Sequence, residues 1–149
     1  MNLSCKKKRP LTREERTYRD DRLFIVASED TYAVEAYFDL FRQERIKVEV
    51  LPTPEGDGMS APEHVLERLN SYLEVYEHEP DDQFWLLLDT DHWTEPNHIR
   101  NFQYVCSEAL RKGYRLAHSN PCFEMWLLLH HEDADPGHPL ERCPNVVTR

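Results

Sequence analysis

Four acidic residues stand where apolar runs of the chain break off. Glu29 follows Ile25-Val-Ala-Ser, Asp89 and Asp91 follow Trp85-Leu-Leu-Leu, and Glu124 lies shortly after Leu116-Ala-His-Ser; Asp30 is a possible fifth. Carboxylates crowded together repel one another and raise each other's pKa unless a cation sits between them. Hard oxygen ligands of this kind suit Mg²⁺ or Mn²⁺, which keep water and accept phosphate oxygens as further ligands. The Asp-Thr-Asp step favours this use, because alternate positions of an extended chain point the same way. A single strand-end Asp would more simply cap a turn or a helix. Four carboxylates at three such ends exceed that role.

Other chemistries find less support. Cys122 lies near His118 and His130, and His92 beside Asp91, but these spacings match no common zinc pattern. Neither Ser28 nor Ser119 sits in a Gly-x-Ser-x-Gly elbow. The chain has only 4 glycines, none in a GxGxxG or GxxxxGK[ST] arrangement, which disfavours a dinucleotide cofactor or a nucleoside triphosphatase. Tyr104 and Trp93 could stack on bases, although aromatic residues at these spacings more commonly pack.

The carboxylates need elements to hold them. Arg22–Ala27 is a short β-branched and aromatic run that predicts a strand, and Ile46–Leu51 and Phe84–Leu88 predict two more. Tyr114–Ala117 predicts a fourth. Between them, apolar residues at spacings of three and four predict helices over 31–45, from a Ser60-x-x-Glu63 capping box to Tyr76, and over 94–112. Asn120-Pro121 predicts the cap and first position of a last helix running to His130, apolar nearly all round and hence buried. Strand and helix alternate four times, which predicts an α/β layer sandwich. Its four-stranded sheet should be mostly parallel, with helices on its faces. Ligands in such folds collect at the carboxyl ends of the strands, where all four carboxylates fall.

The 149 residues suit one domain, with 40% hydrophobic residues available for a core. The expected organisation is a basic arm over 1–21, an α/β domain over 22–131 and a polar, Pro-containing tail over 132–149. No apolar run is long enough to span a membrane and no signal peptide is visible, so a cytoplasmic protein with no membrane partner is expected. Cys5, Cys106, Cys122 and Cys143 form no CxxC pair and are expected as reduced thiols. The formal net charge is −10. Residues 1–22 nevertheless hold eight basic and four acidic side chains, a balance of +4, against −14 for the remainder. Lys6, Lys7, Lys8, Arg9 and Arg13 of that arm are candidate phosphate contacts.

Ser119-Asn-Pro-Cys-Phe-Glu-Met-Trp-Leu-Leu-Leu-His130 resembles the Ser-Asn-Pro-x-Phe-Glu-x-Trp-Leu-Leu-x-His signature of RloB-like proteins. Within it, Ser119, Asn120, Pro121, Phe123 and Trp126 are the structural motif. Trp85-Leu-Leu-Leu-Asp-Thr-Asp-His92 is similar to that family's Asp-x-Asp strand, and Ile25-Val-Ala-Ser-Glu29 with Tyr37-Phe38 to its opening motif. The resemblance runs from about Arg22 to His131. It implies a bacterial protein of restriction and phage-defence loci, with a partner ATPase encoded nearby and a fold related to the Toprim domain of topoisomerases, primases and OLD-family nucleases. Carried over from Toprim enzymes, it implies Glu29 as general acid/base, Asp89 and Asp91 as Mg²⁺ ligands with Glu29 beside them, and Glu124 as a third acidic contributor. The family usually follows its Glu with Gly, and has Thr-Glu before its Tyr-Phe pair; here those positions are Asp30, Ala33 and Val34. The chain stops at Arg149, where relatives tend to continue into a helical segment.

Two functions are therefore expected to compete. One is a Mg²⁺- or Mn²⁺-dependent nuclease acting on DNA or RNA in antiphage defence. The other is a non-catalytic Toprim-like partner or sensor of a defence ATPase. Oligomeric state is left open by the sequence.

Overall fold

The computed structural model describes residues 22–41, 45–56 and 58–131. The arm with Lys6, Lys7, Lys8, Arg9 and Arg13, and the tail over 132–149, lie outside the described residues, as do Cys5 and Cys143. Among the described residues four strands alternate with four helices: β1 (Arg22–Ser28), α1 (Ala33–Asp39), β2 (Ile46–Leu51), α2 (Pro62–Val75), β3 (Gln83–Asp89), α3 (Ile99–Arg111), β4 (Arg115–Ser119) and α4 (Phe123–Leu128). The strands form one sheet in the order β2-β1-β3-β4, and every neighbouring pair is parallel. This is the α/β layer sandwich that the alternation predicts.

The pleat divides the sheet's side chains between two unequal layers. Leu23, Ile25 and Ala27 of β1 and Leu86 and Leu88 of β3 pack against Val65, Leu66, Leu69 and Leu73 of α2 and Phe102, Val105 and Ala109 of α3. That layer is the core. On the opposite face, Phe24, Val26, Trp85 and Leu87 line an apolar cavity of about 360 Å³ shared with Phe38 and Val48. Among the described residues, only the short helices α1 and α4 lie on this side. The register pairs Ser28 with Leu87 and Asp89 with Ser119, so β3 runs two residues beyond the end of β1.

Three helices start elsewhere than expected. Pro96 disfavours the helical conformation at Glu95, and residues 94–98 form turns before α3 begins at Ile99. Ser60 does not cap α2: the boundary residue is Ala61, with Pro62 in the first turn, and Glu63 instead accepts a 2.6 Å hydrogen bond from Asn101 Nδ2 on α3. Asn120 and Pro121 precede α4 rather than open it. Their peptide bond is cis, and Cys122 is the boundary residue. Nor is α4 buried all round, since Trp126 is 49% exposed, as is Leu129, just past its end, at 47%.

One cysteine departs from the expectation of reduced thiols. Cys106 is free, whereas Cys122 is buried and disulfide-bonded. Separation in sequence says little here, because approach in space decides which thiols pair.

Candidate functional site

Parallel strands bring the carboxyl ends of β1, β3 and β4 to one edge, and the loops leaving them are stitched together there. Backbone N–H of Thr90 donates to the carbonyls of Ser119 and Pro121, both at 3.0 Å, and that of Asp91 to Pro121 at 3.1 Å. The Thr90 hydroxyl adds a 3.0 Å hydrogen bond to Asn120 Oδ1. The Asp-Thr-Asp turn is thus built against the Ser-Asn-Pro segment. The strand-end residues Ser119, Asn120 and Pro121 owe their place to that brace.

Glu29 leaves β1 with both carboxylate oxygens engaged. Asp89 N–H donates to Oε1 at 3.2 Å and Trp93 Nε1–H to Oε2 at 2.8 Å. Burial pushes its pKa up to about 8; the Trp93 hydrogen bond opposes the rise, and the charges of Asp89 and Asp91 add to it. Asp89, the last residue of β3, is pushed up to about 7. Burial is the main cause and the charges of Glu124, Asp91 and Asp30 add to it, against a hydrogen bond from the Phe123 backbone. Asp91 lies close by with its side chain 17% exposed, 3.3 Å from His92 Nε2. Glu124 occupies the first turn of α4. The predicted carboxylates therefore share one electrostatic environment. Among the described residues no Lys or Arg forms an ion pair with Glu29, Asp89 or Asp91.

Asp30 has a different job. Its Oδ1 accepts hydrogen bonds from the backbone of Tyr32 at 2.7 Å, Ala33, and Val34 at 3.3 Å, so it caps the first turn of α1. No residue other than glycine has a positive φ among the described residues, so Asp30 meets no backbone strain where it stands. Behind it, Ser28 is buried, and its carbonyl accepts from Thr53 Oγ1 at 3.1 Å and Arg68 Nη1 at 3.0 Å. Arg68 also reaches Thr53 and the Met59 carbonyl, locking the β2–α2 loop onto the end of β1.

Sequence reasoning missed two of these contributors. Trp93 packs against the core as expected, but it is also the donor that fixes Glu29, a contact that its place in the sequence does not signal. Arg68 had no signal either, because its partners are mostly backbone carbonyls. Among the described residues, no three His, Cys, Asp or Glu side chains form a ready-made cage for an ion, either around His118, Cys122 and His130 or among the carboxylates. Mg²⁺ needs no such cage. It commonly binds through one or two carboxylates, with water and substrate phosphate completing the shell. Glu29, Asp89 and Asp91, half-buried and with no Lys or Arg paired to them among the described residues, are a donor set of that kind.

A family model described as RloB-like protein matches residues 24–145. No curated protein and no solved structure matches the chain. No helix among the described residues is long and apolar enough to cross a membrane.

Proposed function

The chain belongs to the RloB-like protein family, and on that footing we propose that it is a Mg²⁺- or Mn²⁺-dependent phosphodiesterase cutting DNA or RNA in bacterial antiphage defence. One observation carries this reading above the rest. Glu29 and Asp89 are held side by side with pKa values raised to about 8 and about 7, next to further carboxylates. Such perturbation by burial and like charge marks groups arranged for chemistry rather than for stability.

Asp89 and Asp91 are the residues that would hold the metal. When bound, the ion supplies charge stabilisation at a phosphate oxygen and lowers the pKa of an attacking water. Glu29 takes or gives the proton at Oε2, since a group titrating near neutrality exchanges protons readily. Trp93 keeps that oxygen from rotating away. Glu124 adds negative charge beside Asp89 and strengthens its call for a cation. Lys6, Lys7, Lys8, Arg9 and Arg13 would grip backbone phosphates that the acidic body repels.

The test is cutting of single- and double-stranded DNA and RNA by purified protein with Mg²⁺ or Mn²⁺. Asp89→Ala and Glu29→Gln should each lose most of the activity. Equal cutting by Asp89→Ala would end this reading.

The departures at Asp30, Ala33 and Val34 from the family's opening motif favour a second reading, a non-catalytic partner or sensor subunit of an ATPase encoded nearby. It predicts folded protein that cuts nothing, shows no thermal shift in millimolar Mg²⁺, and binds that ATPase tightly.

A further inference from the structure

Beside the carboxylates, the thinner side of the sheet opens into a second cavity, of about 390 Å³. Leu87 contributes to its lining, two residues before Asp89. Alternate strand positions share a face, so Asp89 projects on the side of the sheet that carries this cavity, about 6.6 Å further along the strand. The walls are aromatic, with Tyr37 and Phe38 from α1 and Phe123 and Trp126 from α4. The rim carries Asn120, whose Oδ1 accepts from Thr90 while its Nδ2 has no partner among the described residues.

We infer that this cavity seats one nucleobase of the strand whose phosphate meets the carboxylates. The inference rests on the nucleic-acid reading above and names a subsite for it. Its volume lies within the range of small-molecule sites. A base and its own phosphate are one sugar apart, which matches the short step from the cavity lining to Asp89. Flat aromatic walls offer the stacking that any base accepts, and a free amide N–H₂ at the rim can meet an acceptor on its edge. Trp126 is about half exposed at the mouth, available to a ligand rather than committed to the core. The neighbouring 360 Å³ cavity is lined by apolar side chains alone and offers a base edge no partner.

The test is binding of a short single-stranded oligonucleotide and of its abasic counterpart, by fluorescence anisotropy in Ca²⁺. Native protein should prefer the intact strand by about tenfold or more, the size of one stacked base. Trp126→Ala should reduce that preference to under twofold without changing affinity for the abasic strand, and Trp126→Phe should restore it. A 2-aminopurine in the strand should be quenched on binding to native protein, which reads stacking without any variant. Equal native affinities for the two strands overturn the inference and leave the cavity to packing or to another segment. A Trp126→Ala loss shared by both strands, or unquenched 2-aminopurine, also overturns it. Cutting intact and abasic strands at one rate removes the base seat and keeps the phosphodiesterase. Base preference through Trp126 with no cutting does the reverse.

Discussion

Glu29 and Trp93 stand 64 positions apart in the chain and meet in a 2.8 Å hydrogen bond, indole N–H to carboxylate Oε2. With the Asp89 amide on the other oxygen, the group proposed to carry the proton is fixed at both ends by the β3 strand end and the loop after it.

Trp93→Phe keeps the ring and removes the donor. Glu29 should then titrate above its present value of about 8, because the hydrogen bond that opposes the rise is gone. The stability loss should be about 1 kcal/mol. Carboxyl titration by NMR, with urea unfolding alongside, checks both; an unmoved Glu29 contradicts the assignment.

Metal-free protein should lose stability as pH rises from about 5 to about 8. Unfolded Glu and Asp titrate near 4.3 and 3.9, whereas folded Glu29 and Asp89 keep their protons to about 8 and about 7. Across that window the folded state binds more protons, so its stabilisation from these groups is full at low pH and is lost as pH climbs. Each group contributes at most about 1.4 kcal/mol per pH unit, reduced by solvent screening because neither is sealed from water. Thermal melts in EDTA at pH 5, 6.5 and 8.5 read the trend. A Tm that rises over the series runs against it.

Mg²⁺ or Mn²⁺ should reverse that trend. A cation that binds only the folded, ionised site at tenfold excess over its Kd adds about 1.4 kcal/mol, and more of this should show at pH 8.5 than at pH 6. Asp89→Asn should remove most of the metal-induced shift. It should also raise the metal-free Tm above pH 7, since one of the mutually repelling charges is gone. Differential scanning fluorimetry over a metal series measures both effects.

Asp30→Ala should cost about 1 kcal/mol through loss of the α1 cap, and Asp30→Asn only a few tenths. Neither should alter the metal-induced shift. A large loss of metal response in Asp30→Asn would assign this residue to the ion instead of the helix.

How much of this was legible in the sequence varies from residue to residue. Glu29, Asp89, Asp91 and Glu124 could be placed at one edge because apolar runs mark strands and parallel strands share an end. Asp30 read as a possible fifth carboxylate of the cluster because charge shows in a sequence while the direction of a side chain does not. Nothing in the spacing joined Trp93 to Glu29 or Arg68 to the Ser28 carbonyl, since those contacts depend on register between elements far apart in the chain. The long apolar run after Pro121 suggested a buried helix. The observed helix is short and leaves Trp126 about half exposed, which an apolar run by itself does not reveal.

The two layers of the sandwich also differ in how well they can stand alone. α2 and α3, of 14 and 13 residues, share one packed core, whereas α1 and α4 have 7 and 6 residues. Helices of two turns or fewer depend on their packing to persist. Amide hydrogens of α1 and α4 should therefore exchange with deuterium by local opening, well before those of β1 and β3. The layer that presents Tyr37, Glu124 and Trp126 can thus open locally while the core stays folded.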